Sequence, residues 1–186
     1  MNSLILASAS PRRAALLKQI GVDFRIIESC YKEPVVCNDD QVEAIALGKA
    51  REVGKRYPES LVLGADTLVV CNGEVLGKPQ DEQEARFMLA ALSGKPHKVV
   101  TGVALVHKTR EMTAREETMV WMKPLAEKEI DAYIASGEPF DKAGSYAVQG
   151  KGAVFVQKVD GCFFNVVGLP LQKTVAMLEE WNYAIW

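Results

Sequence analysis

The chain has 186 residues, 48% of them hydrophobic and 25% charged, which is typical of a globular protein with one substantial core or two packed lobes. Its formal net charge of -2 excludes a generally basic surface, so we expect no stable nucleic-acid partner and no binding to acidic membranes. No apolar run approaches the roughly 20 residues that span a bilayer, and neither a membrane segment nor a secretory signal is expected.

The first predicted elements are a strand, a polar turn and a helix. The run Leu4–Ala7 is short and apolar, as in a buried strand. Ser10 followed by Pro11 predicts a helix start, because serine is a good N-cap and proline is tolerated at the first helical position. Apolar residues at helical spacing continue to Ile20, and Gly21 is a natural end for the helix.

The turn between this strand and helix has the chemistry of an anion site. Its two hydroxyls and two guanidiniums belong to Ser8, Ser10, Arg12 and Arg13. A helix N-terminus offers unpaired N–H groups and a positive dipole end, and the planar fork of arginine matches phosphate oxygens. Two arginines there oppose the helix dipole, which a bound anion would offset. We interpret the turn as a polyphosphate site; the alternative is a solvated pair of arginines.

The rest of the chain is predicted to interleave strands and helices in one continuous unit. Asn72-Gly73 predicts a tight hairpin turn, and Asp160-Gly161 predicts another. The order favours the α/β class with a mixed sheet and flanking helices. The predicted strands cover residues 24–27, 61–70, 74–76, 97–107, 116–122, 146–148, 153–159 and 162–167. The predicted helices cover 39–57, 81–92, 127–136 and 170–181.

Cysteine and histidine usage limits the metal and redox chemistry of the chain. No Cys-x-x-Cys pair is present, which favours reduced thiols and a cytoplasmic location. With His97 and His107 as the only histidines, a histidine-rich zinc site is not expected, and His97 is interpreted as structural. The cysteines are Cys30, Cys37, Cys71 and Cys162.

Asp66 is the strongest single candidate for chemistry. It interrupts an apolar run, and a buried carboxylate is costly unless it is paired, hydrogen-bonded or bound to a cation. Gly64 just before it allows close approach of another group. The alternative is a structural aspartate that caps a turn after Gly64.

Further polar residues have both a functional and a plain structural interpretation. Glu33 in a loop could be solvated, Lys49 could be helix surface, and Gln149 before Gly150 could be a turn residue. Lys78 and Lys142 lie in glycine- and proline-containing loops that are harder to dismiss. The basic residues that would hold a polyphosphate are Arg12, Arg13, Lys49, Lys78 and Lys142.

Two carboxylates complete this candidate site. Glu33 and Asp66 would hold a divalent cation or orient water, and carboxylate ligands without histidine favour Mg²⁺ or Mn²⁺. The sequence has no nucleophile elbow, Walker loop or His-Glu-x-x-His motif. The reaction that fits best is therefore metal-assisted attack of water on phosphorus.

Several motifs together resemble the Maf family of nucleoside triphosphate pyrophosphatases, in the same order and over nearly the whole chain. The resemblance implies one domain over residues 1–186 with two lobes, a fold similar to the inosine triphosphate pyrophosphatases, and an active site in the cleft between lobes. It also implies a cytoplasmic enzyme, frequent homodimers and a link to septum formation. The motifs are Ser8-Ala9-Ser10-Pro11-Arg12-Arg13, Gly64-Ala65-Asp66-Thr67, Gly77-Lys78-Pro79, Ser93-Gly94 through Thr101-Gly102, and Asp141–Tyr146 with Gln149-Gly150.

The same resemblance implies roles for individual residues. Asp66 would accept a proton, with Glu33 and Lys78 beside it in the catalytic set, and Glu33 and Asp66 would bind Mg²⁺ or Mn²⁺. The remaining positions would bind the triphosphate substrate: Ser8, Ser10, Arg12, Arg13, Lys49, Thr67, Lys142 and Gln149.

Within the family, Lys142–Gly150 resembles the branch that acts on dTTP and UTP, and Arg12, Thr67 and Gln149 are its specificity positions. A glutamine amide offers a donor and an acceptor to the edge that thymine and uracil share. One departure is Gly48, where the branch often has a charged residue. The alternatives are a pyrophosphatase for 7-methyl-GTP or another modified nucleotide, and a nucleotide-sensing division regulator that does not hydrolyse its ligand.

Overall fold

A mixed β-sheet is the frame of the protein, here described from a computed structural model that covers residues 3–36, 38–183 and 185. Within these residues seven strands form one sheet in the order β2-β1-β3-β5-β6-β7, with β4 paired to β3. β1 runs parallel to β2 and β3, and the other pairs are antiparallel. The strands are β1 Leu4–Leu6, β2 Phe24–Ile26, β3 Leu61–Cys71, β4 Glu74–Leu76, β5 Pro96–His107, β6 Arg110–Met122 and β7 Val156–Asp160.

Helices cover the sheet and fill the connections. Short 3₁₀ turns occur over Asp39–Gln41, Glu138–Asp141, Ala143–Ser145 and Lys151–Phe155. None of the helices within the described residues combines the length and the apolar character that a bilayer crossing requires. The helices are α1 Pro11–Gln19, α2 Val42–Arg56, α3 Glu82–Leu92, α4 Glu127–Ala135, α5 Phe163–Val167 and α6 Leu171–Glu180.

The core is divided among the faces of the sheet. One buried cluster joins Leu4 and Leu63 to Leu17 of α1 and Leu178 of α6. On the opposite face, α2 buries residues such as Val53 against the sheet. A third cluster lies between α3, α4 and the far ends of β3, β5 and β6. Each fully buried leucine contributes about 1.5–3 kcal/mol, so these clusters hold the helices in place.

Local signals in the sequence predict the first half of the fold correctly. α1 begins at Pro11 and is followed by Gly21 in the left-handed region, and Asn72-Gly73 forms the turn between β3 and β4 with positive φ at both residues. The expected side-chain cap is wrong: the Ser10 hydroxyl makes no capping hydrogen bond. That hydroxyl lines the cavities described below.

Two strand predictions in the second half are wrong. Residues 146–148 are not a strand, because the Tyr146 hydroxyl pairs with His97 and the Ala147 N–H donates to the Tyr133 hydroxyl. The hairpin of 153–159 with 162–167 is also wrong: β7 pairs with β6, and 163–167 is helix α5. The buried Asn165 side chain fixes α5 by donating to the Val99 carbonyl and Thr118 hydroxyl, so tertiary contacts override β propensity.

A break in the pairing of β3 creates the opening for a site. β1 pairs with residues 61–63 of β3, and β4 pairs with residues 69–71 on the same side, opposite β5. Between these pairings, residues 64–68 have no neighbouring strand on that side within the described part of the chain. Asp66 and Thr67 lie in this gap, and their side chains point to opposite faces of the sheet because strand residues alternate.

Candidate active site

A cavity of about 520 Å³ lies at the gap in β3, and a second cavity of about 220 Å³ adjoins it beside the β1–α1 turn. The two share a set of charged lining residues, among them Arg12, Lys49 and Lys78. Every site residue predicted from the sequence lines one or both cavities: Ser8, Ser10, Arg12, Arg13, Glu33, Lys49, Asp66, Thr67, Lys78, Lys142 and Gln149.

Lys49 joins the two candidate carboxylates. Its Nζ lies 2.6 Å from Asp66 Oδ1 and 2.7 Å from Glu33 Oε1. The Lys49 and Asp66 side chains are nearly buried, whereas the Glu33 side chain is about half exposed (47%). Asp66 Oδ2 has no hydrogen-bond partner among the described residues, and it is not one of the buried polar atoms that are shielded from solvent. It is therefore accessible from the cavity. Lys49 is therefore an internal counter-ion and not plain helix surface.

Two glycines bring Lys49 to Asp66. A Cβ on Gly64 would lie 2.3 Å from the Ala46 carbonyl oxygen, and one on Gly102 would lie 2.6 Å from the Val42 carbonyl oxygen. Gly102 is the β5 residue paired with Asp66. Without side chains at these two positions, α2 packs directly on the sheet and its Lys49 reaches the carboxylate. The expected close approach at Gly64 is confirmed.

Arg13 ties three parts of the site together. Its Nε donates to the Gly168 carbonyl at 2.7 Å, Nη1 to the Ser8 hydroxyl at 3.1 Å, and Nη2 to the Thr67 hydroxyl at 3.0 Å. Burial lowers the pKa of Arg13 from its ordinary value, although Asp66 nearby acts in the opposite direction. A guanidinium has five N–H groups, so two remain for a ligand. Arg13 is therefore a fixed cation and not a solvated surface residue.

The other cations of the site differ in how firmly they are held. Arg12 Nη1 lies 3.2 Å from Asp141 Oδ2, and Lys142 Nζ lies 2.5 Å from Asp141 Oδ1 and 2.7 Å from the Glu138 carbonyl. The exposed Lys78 ammonium makes no hydrogen bond or ion pair within the described residues. Lys78 is thus the cation most available to an incoming anion.

The loop that carries Lys142 and Gln149 is anchored by Glu138. Its carboxylate accepts hydrogen bonds from the Tyr133 hydroxyl at 2.9 Å, the Lys151 N–H at 3.0 Å and the Gly152 N–H at 3.1 Å. Partial burial alone would raise the pKa of Glu138, but these hydrogen bonds outweigh it and hold the pKa below the ordinary 4.5. Sequence reasoning missed Glu138, since no local pattern links residues 138 and 152.

Glu138→Gln should lower the stability of the folded protein by about 1–3 kcal/mol, because one amide N–H₂ would face N–H donors. The folded-state pKa is lowered, so the stabilisation by Glu138 is present above pH 4.5 and is lost as pH falls through the folded pKa. The difference in Tm between the wild type and Glu138→Gln, measured by thermal unfolding from pH 7 to pH 3, should therefore become smaller as the pH falls. Glu59→Gln, at an exposed ion pair with Lys108, is the control and should leave the Tm nearly unchanged at every pH. A difference independent of pH would contradict this role.

A buried histidine supports the inner wall of the larger cavity. His97 Nε2 lies 2.7 Å from the hydroxyl oxygen of Tyr146, whose ring lines the cavity. Burial lowers the pKa of His97 to about 4, so the ring is neutral at pH 7. His97 is a buried support behind the site, and sequence reasoning missed its partner Tyr146.

Three of the four cysteines fall within the described residues and are free thiols: Cys30, Cys71 and Cys162. The fourth, Cys37, lies outside the described residues. Gly48, the departure from the branch pattern, has a packing role, since a Cβ there would lie 2.3 Å from the ring of Tyr31. Tyr31 lies in the loop that carries Glu33.

Comparison with known proteins shows the family to which the chain belongs. The sequence profile described as "Maf-like protein" matches residues 3–181. The chain belongs to the Maf-like protein family. A dTTP/UTP pyrophosphatase of Symbiobacterium thermophilum is 50% identical over 189 residues, covering 100% of this chain and 97% of the relative. A dTTP/UTP pyrophosphatase of Bacillus pumilus is 50% identical over 185 residues, covering 98% of each protein. The resemblance to the Maf family is confirmed.

Solved structures confirm the fold class of this Maf-family chain. A HAM1 protein from Coxiella burnetii has a TM-score of 0.58 at 14% identity, covering 97% of this chain and 100% of the other. The Ham1 protein of Staphylococcus aureus has a TM-score of 0.54 at 13% identity with the same coverage. The expected α/β fold of the inosine triphosphate pyrophosphatase type, with a mixed sheet and flanking helices, is confirmed. The division into two lobes stays a prediction.

Proposed function

We propose that this Maf-family protein is a nucleoside triphosphate pyrophosphatase that hydrolyses dTTP and UTP to the monophosphate and pyrophosphate. The observation that carries the proposal is the Asp66–Lys49–Glu33 group beside the fixed Arg13 and the available Lys78, all lining one cavity. The 50% identity to relatives named dTTP/UTP pyrophosphatase supports the choice of substrate.

The residues suggest how the reaction proceeds. A water oxygen attacks the α-phosphorus, the bond from that phosphorus to the α–β bridging oxygen breaks, and pyrophosphate leaves. Asp66, with Oδ1 held by Lys49 and Oδ2 open to the cavity, accepts the proton of the attacking water. The cations Arg12, Arg13, Lys78 and Lys142 offset the charge of the triphosphate and of the leaving pyrophosphate. The Ser8 and Ser10 hydroxyls line the turn that would hold phosphate oxygens.

The carboxylates fit a hard divalent cation. Glu33 and Asp66 converge on one cationic group, Lys49 Nζ, and oxygen donors suit Mg²⁺ or Mn²⁺. The described residues contain no group of three or more His, Cys, Asp or Glu that could hold a metal ion. Mg²⁺ commonly binds through one or two carboxylates plus substrate phosphates, which matches this donor set. Such an ion would polarise phosphoryl oxygens and neutralise charge.

Removal of divalent cations should therefore abolish activity. Treatment with EDTA followed by desalting should lower the rate of pyrophosphate release from UTP by at least about 10²-fold, and Mg²⁺ or Mn²⁺ should restore it. Ca²⁺ at equal concentration controls for charge alone. Full activity after rigorous chelation would contradict a metal-assisted reaction.

The proposed base preference rests on the shape and polarity of the cavity. Its apolar part includes Val69, Val99 and Val148, with Thr67 and the exposed Gln149 as polar groups. Thymine and uracil share two carbonyl acceptors that flank an N3–H donor, whereas cytosine has the opposite pattern at two of these positions. A site whose polar groups pair with uracil or thymine leaves those groups unpaired when cytosine is bound.

A panel of triphosphates tests the proposal. Pyrophosphate release should be fastest with dTTP and UTP and at least about tenfold slower with CTP, ATP, GTP and 7-methyl-GTP. A strong preference for 7-methyl-GTP or a purine would overturn the pyrimidine assignment. Tight binding without pyrophosphate release from any member would instead indicate a nucleotide sensor.

Homodimerisation, the cytoplasmic location and the septum link stay predictions.

A further inference from the structure

A chain of hydrogen bonds runs from the cavity into the core through two threonines. Arg13 Nη2 donates to Thr67 Oγ1, Thr67 Oγ1 lies 2.9 Å from Thr101 Oγ1, and Thr101 Oγ1 donates to the backbone carbonyl of Asn165 at 3.0 Å. Thr101 is fully buried, whereas Thr67 is half-buried and lines the larger cavity. Thr67 and Thr101 are directly paired across β3 and β5.

The Arg13 guanidinium and the Asn165 carbonyl, at the two ends of this row of hydrogen bonds, determine which hydroxyl donates in each bond. A hydroxyl has one hydrogen and two lone pairs, and a backbone carbonyl can only accept. Thr101 Oγ1 makes two short oxygen–oxygen contacts, and each needs a hydrogen. The Asn165 carbonyl cannot supply one, so both contacts are satisfied only when Thr101 donates to Asn165 and Thr67 donates to Thr101. Thr67 also accepts from Arg13, which is always a donor. Its one remaining lone pair can therefore only accept a hydrogen bond from a ligand.

Resting on the proposed function, we infer that Thr101 is a positioning residue that selects the base, because it holds the Thr67 hydroxyl as an obligate acceptor for the N3–H of uracil or thymine. The N3 of cytosine carries a lone pair and would face the Thr67 lone pair without a hydrogen between them. A phosphate oxygen would be rejected in the same way, so the Thr67 hydroxyl suits a donor group of the nucleoside and not the triphosphate. Thr101 itself does not line either cavity.

Thr101→Val tests this by removing the hydroxyl with little change in shape. The Thr67 hydrogen then has no acceptor in the core and is free to turn towards the cavity, where it can donate to cytosine N3. The ratio of kcat/KM for UTP to kcat/KM for CTP should fall at least about tenfold. Thr101→Ser keeps the hydroxyl and should keep the ratio within about threefold of the wild type.

Thr118→Val is the matched control for loss of a buried hydroxyl. Thr118 is 1% exposed and bonds Asn165 Nδ2 and the Cys162 carbonyl, but it does not contact Thr67. The Thr118→Val variant should lower Tm about as much as Thr101→Val. Its ratio of kcat/KM for UTP to kcat/KM for CTP should stay within about threefold of the wild type. A drop in the ratio in both variants would show a general packing effect and would overturn the inference.

A substrate-side measurement needs no variant. N3-methyluridine triphosphate lacks the N3–H donor, and wild-type kcat/KM for it should be at least about tenfold below that for UTP, mainly through KM. In Thr67→Val the two substrates should differ by less than about threefold, because the acceptor is gone. Wild-type hydrolysis of UTP and its N3-methyl analogue at equal rates would overturn the inference.

These outcomes separate the inference from the proposed function. If the wild type releases pyrophosphate from UTP but Thr101→Val retains the wild-type UTP:CTP ratio, the inference is wrong and the proposed function stands. If the wild type releases pyrophosphate from no triphosphate, the proposed function is wrong. If Thr101→Val does not fold, Thr101→Ala takes its place in the same comparison with Thr101→Ser, and a wild-type UTP:CTP ratio in Thr101→Ala overturns the inference.

Discussion

Asp66→Asn should reduce kcat for pyrophosphate release from UTP by about 10²–10⁴-fold or more, because the amide cannot accept a proton from water at neutral pH. The side chain keeps its shape, and its Oδ1 can still accept from Lys49 Nζ, which lies 2.6 Å away in the wild type. We therefore expect a folded protein with a Tm close to that of the wild type. Steady-state kinetics at saturating UTP and thermal unfolding measure the two effects.

Asp40→Asn is the matched control for the loss of one carboxylate. Asp40 is exposed, pairs with Arg115 and lines neither cavity. Its replacement should leave kcat within about twofold of the wild type. A folded Asp66→Asn enzyme with nearly normal kcat would remove Asp66 from the mechanism.

The second large effect is expected at Arg13. Arg13→Lys keeps the charge but loses the planar fork that reaches the Gly168 carbonyl, the Ser8 hydroxyl and the Thr67 hydroxyl at once. The β1–α1 turn would no longer be fixed to β3, and kcat/KM for UTP should fall by about 10²-fold or more, since a misplacement of about 1 Å can have that effect. Tm should fall as well, because buried acceptors lose their donor.

Arg51→Lys is the control for replacing a guanidinium that makes two hydrogen bonds with an ammonium outside the site. Arg51 makes a two-bond pair with Glu111 at 2.7 and 2.6 Å, but its side chain is exposed and lies outside both cavities. Its kcat/KM should stay within about twofold of the wild type, as should that of Lys108→Ala at the β5–β6 turn. Equal losses in Arg13→Lys and Arg51→Lys would contradict a special role for Arg13.

Local chemistry explains what the sequence could predict. The start of α1 at Ser10-Pro11 and the turn at Asn72-Gly73 depend on the φ values of a few adjacent residues, so both are readable from the chain. Helix α5 is different, because residues 163–167 have the composition of a strand. Its conformation depends on Asn165 reaching β5 and β6, a contact over more than 45 residues of sequence that no local pattern encodes.

The candidate site shows the same division. The residue types of Asp66, Glu33 and Lys49 predict a polyphosphate and cation site. The sequence predicts a close approach at Gly64, but it does not reveal that the approaching element is α2. It therefore does not reveal that one lysine of α2 joins both carboxylates. The role of Thr101 is less visible still, because it arises from strand register and from the direction of hydrogen bonds.

Hydrolysis of UTP in water enriched in ¹⁸O, with both products analysed by mass spectrometry, tests the central claim most directly. Attack of water on the α-phosphorus predicts UMP that carries one ¹⁸O atom and pyrophosphate that carries none. Formation of UDP and inorganic phosphate would contradict the claim that this protein is a nucleoside triphosphate pyrophosphatase, and ¹⁸O in pyrophosphate with none in UMP would contradict attack on the α-phosphorus.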